Sequence, residues 1–532
     1  MTGDLTRTLR VAVAAVAAVW LVVIVVWGVA PFVITFDDAF YYFQIARNVA
    51  NGHGSSFNGI DSTNGYHPLW LLLCTLPYLA GIDGTAAVRT LLVLQLALYA
   101  ATLLFVAGML ADTVRGWARM TSMDADGRKA RACTVSLAFV FAIVAGNPFV
   151  VKVFVNGLES GITSLAYVVV LTVACRYRGN LLDDPRARRI LAAAFVVAFL
   201  GRTDALLVVG CAGLWALAAR PRVRALVEVF APVALVTAAY LVFNQVVFGN
   251  PLQVSGVIKR QSLTAGRAVA LLLVALLALA IGRGALRMKA SARFPHVNGF
   301  VRATGFFAAG CVVLFGYYRV LSVEVYLWYY APQALYVVLL LLHAAADLLE
   351  GRVLETPAGK PARAVLAPIQ LILGLPIVIG FAYSVTQLVD PHQRSLALGD
   401  RAAAEWTAAN TPRDAVLASW DAGIIGYFAD RPVVNLDGVV NSFDWESATR
   451  HGTAATSAFL RDRHVTYVVN HGRIAGGQDP DLPTAIDRLF GAGTGARIRL
   501  VHREDYIYAG SAGGSGRGDR PFATFVYAIP AP

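Results

Sequence analysis

The chain has 532 residues, 57% of them hydrophobic and 15% charged, with a mean hydropathy of +0.60. Soluble domains sit nearer half apolar and a quarter charged, so a soluble globular protein is excluded. The formal charge of +12 falls mainly in short loops between apolar runs, with no basic stripe interleaved with aromatics, which excludes nucleic acid as a partner. All five cysteines (Cys74, Cys133, Cys175, Cys211, Cys311) lie in or beside apolar segments and form no CxxC pair. Neither a zinc site nor a redox motif is indicated, and the region after residue 389 folds without disulfides.

The first apolar run, 11–34, follows Arg7 and Arg10 and is too long for a signal-peptide core. It reads as an uncleaved signal anchor with a cytoplasmic N-terminus. The stretch 36–87 holds Arg47 as its only Lys or Arg, whereas 112–131 holds Arg115, Arg119, Arg128, Lys129 and Arg131. The positive-inside rule therefore puts a first outer loop (35–87) outside, and residues 112–131 inside. The apolar stretch 69–82 is too short to span and reads as a re-entrant or interfacial helix. Residues 190–219 carry basic clusters at both ends, which predicts a turn back at Gly201-Arg202-Thr203-Asp204. Later spans are expected over 226–247, 268–281, 300–321, 331–349 and 365–385, for about eleven crossings and a C-terminus on the outer face of the cell membrane. Lys259 and Arg260 fall outside and break the charge rule. From 390 to 532 the composition becomes globular. Strand-like runs (415–418, 433–436, 465–469, 497–501, 524–529) alternate with helix-like ones (396–409, 456–463, 482–490), which predicts an extracytoplasmic α/β domain after a membrane module of 1–389. Residues 511–520 read as a Gly- and Ser-rich loop.

The first outer loop carries the densest chemistry. Asp37 and Asp38 stand where the first span leaves the membrane, at the start of a short amphipathic helix. Such aspartates cap exposed N–H groups, and a carboxylate there also suits a base that takes a proton from an attacking hydroxyl. Cations for a departing phosphate are available at Lys259, Arg260, Arg202, Arg319 and Lys152. Arg202 and Asp204 are equally placed to satisfy each other as a buried pair. The aromatics at 317–318 and 326–330, Trp328 and Tyr329 among them, suit an interfacial belt or stacking on sugar faces. His53 and His471 read as loop residues, and Asp421 and Asp437 as turn-shaping residues in Gly-rich loops.

Several blocks carry a resemblance. Asp37-Asp38 with Tyr41, then Asp61-Ser62-Thr63-Asn64-Gly65-Tyr66-His67-Pro68, resembles the first outer loop of the GT-C-fold glycosyltransferases. These include protein mannosyltransferases, lipid A aminoarabinose transferases and cell-wall arabinofuranosyltransferases. Asn156-Gly157-Leu158-Glu159, Gly201-Arg202-Thr203-Asp204 and Phe248-Gly249-Asn250-Pro251 extend it, and 419–427 with 435–438 resembles the outer domain of such proteins. The resemblance implies a polytopic GT-C fold and an inverting transfer of a sugar, arabinofuranose or mannose, from a polyprenyl-phosphate donor to a glycan, lipid or protein acceptor among the membrane lipids. It implies Asp37 as base, with Asp38 as a second acid that orients the base or binds a metal. With the outward-facing cations and aromatics above, donor contacts are expected at Tyr41, His67, Glu159, Arg202, Lys259, Arg260 and Arg319, and acceptor contacts at Asp421, Trp328 and Tyr329. At His67 this chain departs from the pattern, with Leu69-Trp70 after Pro68 instead of Pro-Leu. Some relatives bind a divalent cation; for this chain no essential metal is expected. The rival readings are a transporter or flippase of lipid-linked sugars, for which internal symmetry and midplane polar residues are the marks, and a non-catalytic sugar-binding scaffold.

Overall fold

The computed structural model describes residues 2–118, 127–177, 181–218, 221–288, 294–322, 325–354, 382, 385, 391–508 and 520–529. Helix α1 (Thr2–Val26) is followed by α2 (Ala30–Ile34), α3 (Asp37–Ala50), α4 (Pro68–Leu79), α5 (Gly84–Ala118), α6 (Gly127–Gly146) and α7 (Pro148–Phe154). Next come α8 (Ser160–Arg176), α9 (Pro185–Gly201), α10 (Leu206–Ala218), α11 (Val223–Phe248), α12 (Val254–Ile258), α13 (Ala265–Arg287), α14 (Pro295–Leu321) and α15 (Ala331–Leu354). The C-terminal part runs α16 (Pro391–Asn410), β1 (Val416–Ser419), α17 (Gly423–Phe428), β2 (Val433–Asn435), α18 (Phe443–His451), α19 (Thr453–Asp462), β3 (Val465–Arg473), α20 (Leu482–Phe490), β4 (Arg499–Tyr508) and β5 (Arg520–Ala528).

Among the described residues six helices are long and apolar enough to cross a membrane: Leu5–Val26, Gly84–Arg115, Val223–Phe248, Ala265–Arg287, Pro295–Leu321 and Leu327–Leu349. A seventh is counted if Cys133–Gly146 and Pro148–Phe154, bent by 60° at Asn147, form one broken span. The expected span over 365–385 lies outside the described residues, as does the loop at 511–519. Helices α4 and α8 are apolar but short; at 12 residues α4 reaches only about 18 Å, well under a bilayer core. The expected unbroken run 11–34 is interrupted after Val26, because Gly28 weakens the helix and Pro31 is suited only to the first turn of a new one. A break also falls at Gly201–Ala205, where α9 ends and a short 3-10 turn precedes α10.

The chain divides into two compact units, Met1–Val26 with Val93–Ala238 and Gln261–Gln387, and Trp27–Leu92 with Ala239–Arg260 and Leu388–Pro532. In the first, α13 packs on α14, α8 on α9, and α14 on α10 and α15. Small residues permit these contacts: a side chain on Gly305 would collide with Ala285, and one on Gly316 with Val274. In the second, a five-stranded sheet has the order β2-β1-β3-β5-β4. Strands β2, β1 and β3 are mutually parallel, and β5 is antiparallel to both β3 and β4. β1 is buried along its whole length, which explains its unbroken apolar run. Trp445, Phe459, Leu460, Val468, Phe525 and Tyr527 fill the core beside it. The expected strands and the helices at 396–409, 456–463 and 482–490 all occur. Helices α17 and α18 are additional; α17, at six residues, leaves too little periodic pattern to be read from sequence.

Candidate active site at the strand ends

The parallel register pairs Ser419 with Asn435 and Ala418 with Val468, so the segments following β1, β2 and the middle of β3 emerge at one edge of the sheet. Crevices outside the carboxyl ends of parallel strands are where α/β domains bind ligands. Asp421, Asp437 and His471 gather there. Facing them, within the same compact unit, is the N-terminal turn of α3. Asp37 uses both carboxylate oxygens on backbone donors at the start of α17, accepting from Ile424 N–H at 2.7 Å and Gly423 N–H at 2.9 Å. Tyr41, one turn on and on the same helix face, donates to Asp437 Oδ2 at 3.0 Å and accepts from Ala422 N–H and Asn435 Nδ2, each at 3.3 Å. Arg47 continues the contact, donating to the Tyr427 carbonyl at 3.0 Å. A side chain on Gly423 would collide with the Asp37 backbone carbonyl, which is why glycine stands there.

Asp38, on the adjacent face, is half-buried and has Lys259 Nζ 3.9 Å from its Oδ2. Lys259 is carried there by a loop stapled to residues 64–67. Asn64 donates to the Leu252 carbonyl at 3.0 Å and accepts from Val254 N–H at 2.9 Å, and Gln253 donates to the Tyr66 carbonyl. His67 belongs to this staple: its Nδ1 lies 3.3 Å from Gln253 Nε2, and its backbone N–H donates to Tyr42 Oη. Gly65 fits because any side chain would strike the Val439 carbonyl. Asp61 makes a bidentate pair with Arg463 at 2.7–3.1 Å. Much of the motif that carries the resemblance thus joins loop to loop. Arg260, one residue on, is exposed.

His471 is not a loop residue but lies on β3, between two carboxylates. Its Nε2 is 3.2 Å from Asp421 Oδ2 and its Nδ1 is 3.6 Å from Asp400 Oδ2. Asp400 is buried and accepts a hydrogen bond from Thr524 at 2.7 Å. A single histidine in a strand pattern gave no sign of these partners, one of which is some 70 residues away on α16. Burial alone lowers the His471 pKa, but Asp400 and Asp421 outweigh it and hold the imidazolium well above the ordinary value of 6.5. The hydrogen bond from His471 in turn keeps the Asp421 carboxyl below its usual range. Burial, then Asp421, raise Asp37 well above the usual carboxylate range against the pull of the Ile424 N–H. Burial pushes Asp437 up to about 7.

A pH dependence of stability follows. The His471 pKa is raised on folding, so its contribution is complete below pH 6.5 and is lost as pH rises through the higher folded value. The melting temperature therefore falls as pH rises from 6.5 up to and through that folded value and levels off above it, and His471→Asn removes this part of the profile. An identical alkaline slope in the variant would refute the assignment.

The remaining expected residues lie in the other unit. Glu159 and Arg202 come together: the Arg202 guanidinium pairs with Glu159, and with Asp204 at 2.7 Å. Tyr318 donates to Asp204, and Tyr329 lies under the guanidinium with its ring centre 4.8 Å away. Trp328 is buried and stacked on Tyr326, while Arg319 is exposed. Arg202 is 4% exposed and faces two carboxylates, which makes the three a buried ion triad. Replacing Arg202 by Met leaves two carboxylates without their cation and costs about 3–5 kcal/mol. The triple change R202M/E159Q/D204N recovers most of that, as read by thermal unfolding. Among the described residues no group of three or more His, Cys, Asp or Glu is arranged to hold a metal ion.

A family model described as a domain of unknown function (DUF8728) matches residues 387–525. No curated protein matches the sequence. Among solved structures, the oligosaccharyltransferase AglB of Archaeoglobus fulgidus, in complex with an inhibitory peptide and a dolichol-phosphate, is 14% identical, with a TM-score of 0.51 over 96% of this chain and 74% of that one. ArnT of Cupriavidus metallidurans, bound to undecaprenyl phosphate, is 14% identical with a TM-score of 0.47 over 97% of each chain. The arabinofuranosyltransferase AftD from Mycobacteria is 17% identical with a TM-score of 0.44 over 99% of this chain and 42% of that one. These are GT-C-fold glycosyltransferases, and this chain is a polytopic membrane protein with the GT-C fold and a C-terminal sheet-containing domain.

Proposed function

We propose that the chain is an inverting glycosyltransferase that moves a sugar from a polyprenyl-phosphate donor to an acceptor hydroxyl on an envelope glycan, lipid or protein, at the outer face of the membrane. The observation that carries this reading is the half-buried Asp38 carboxylate beside Lys259, at the strand-end edge of the C-terminal sheet in a GT-C fold. The AglB neighbour, solved with a dolichol-phosphate, supports a lipid phosphate as the leaving group.

In this reading the acceptor oxygen forms a bond to the anomeric carbon as the carbon–oxygen bond to phosphate breaks. The electron pair leaves on the polyprenyl phosphate, and the acceptor proton passes to a carboxylate. We assign that carboxylate to Asp38, in place of Asp37. Both oxygens of Asp37 already accept backbone N–H groups, whereas Asp38 stands next to the cation that offsets the departing phosphate. Asp421, three-fifths exposed and held by His471, is on hand to receive acceptor hydroxyls. Arabinofuranose and mannose are the donor sugars to try first.

The test is a transfer assay in membranes containing the protein, with radiolabelled polyprenyl-phosphate sugars and an envelope-extract acceptor. Sugar-dependent release of polyprenyl phosphate is expected. Movement of intact lipid-linked sugar across sealed vesicles with no glycosidic bond broken would instead establish a flippase and overturn the proposal.

A further inference from the structure

The first compact unit contains an open cavity of about 830 Å³, unrelated to the residues discussed above. Its size falls in the range of small-ligand pockets. Helices α9, α10, α11 and α14 each turn one face toward it. Phe195 stacks on Phe230 with ring centres 5.7 Å apart, and Trp215 meets Phe306 edge-on at 6.1 Å, so four aromatic rings supply much of an apolar wall. Two guanidinium side chains, Arg222 and Arg302, line the same cavity, as does one carboxylate residue, Asp183.

Three arginines nearby are paired with carboxylates of the protein. Arg176 pairs with Asp112 at 3.2 Å, Arg188 with Glu228 at 2.6 Å, and Arg224 with Glu228 at 2.7 Å. Arg222 and Arg302 differ: both are exposed, and among the described residues neither forms an ion pair with a carboxylate, Asp183 included. Arg302 is also placed where a lipid headgroup can reach it. It is the eighth residue of α14, a helix long and apolar enough to span, and so lies about 10 Å in from the helix end, about the length by which this helix exceeds a bilayer core. A cation near that boundary pairs favourably with an anionic headgroup, and the cavity supplies apolar walls beside it. An amphiphile with an anionic head satisfies both demands.

We propose that this cavity binds an anionic phospholipid, its phosphate taken by Arg222 and Arg302 and its acyl chains lying along Phe195, Phe230, Trp215 and Phe306. Bidentate guanidinium–phosphate pairing is the contact that distinguishes it from the general lipid annulus.

The experiment uses the full chain, purified in detergent, delipidated, and given mixed micelles of detergent with phosphatidylglycerol or with phosphatidylcholine. Native mass spectrometry should show one phosphatidylglycerol retained with at least tenfold preference over phosphatidylcholine. The double variant R222Q/R302Q should lose that preference. A second readout needs no arginine change: phosphatidylglycerol brominated in its chains should quench wild-type fluorescence more than that of Trp215→Phe, and brominated phosphatidylcholine should not distinguish the two. Equal retention of the two lipids, retention undiminished in R222Q/R302Q, or equal quenching of wild type and Trp215→Phe would each overturn the proposal. So would displacement of the lipid by millimolar inorganic phosphate alone, which would mark a soluble-anion site.

Discussion

Asp38→Asn lowers sugar transfer by about 10²–10⁴-fold, the usual contribution of a positioned general base. The melting temperature is expected to stay near that of the parent. Asn keeps the volume of the side chain and one acceptor oxygen, and the contact it weakens, Lys259 at 3.9 Å, is a long, partly exposed ion pair worth little to stability. The loss should appear in kcat, because the proton moves only as the bond to the sugar forms. Lys259→Met should lower turnover too, through the departing phosphate, and is compared with Asp38→Asn in the same membranes. Full turnover in Asp38→Asn, at equal expression, would remove Asp38 from the mechanism.

Asp37→Ala, by contrast, is expected to act on the fold first. It removes the acceptor for two backbone N–H groups at the start of α17, each hydrogen bond worth about 1.5–3 kcal/mol when the acceptor is a carboxylate, for a total of about 3–6 kcal/mol. Gly423→Ala attacks the same joint from the other side, forcing a methyl group into the Asp37 carbonyl, and should cost about 1–3 kcal/mol or more. Both variants should melt earlier and be cut sooner by protease in the 388–532 region. Asp37→Asn also disturbs the joint, since its NH₂ cannot accept from either amide. A fall in its activity is therefore evidence for base chemistry only if its stability is unchanged. That outcome, a wild-type melting curve with turnover abolished, would return the role of base to Asp37, whose raised pKa would then serve it.

The sequence determined a good deal by itself. Its hydropathy required spanning helices, since apolar runs of about twenty residues have few other stable settings. The alternation of strand-like and helix-like runs after residue 390 placed all five strands, because short apolar runs bounded by turn residues are local signals. The order Asp37-Asp38-Tyr41, with the 61–68 block and the 419–438 block, marked the segments that meet at the site. Which residue does what was not legible. Asp37 and Asp38 are adjacent and identical in type, and only the direction of each side chain makes one a cap for α17 and the other a neighbour of Lys259. Arg202 and Glu159 are 43 positions apart, and their pairing depends on how the helices that carry them are set. His471 carries no local mark, since its partners Asp400 and Asp421 arrive from a helix and from the loop after β1. Short-range chemistry fixes helices, strands and turns. Carboxylate pKa values, ion pairing and access are set by groups within a few ångströms in space, and those neighbours are chosen by the tertiary structure alone.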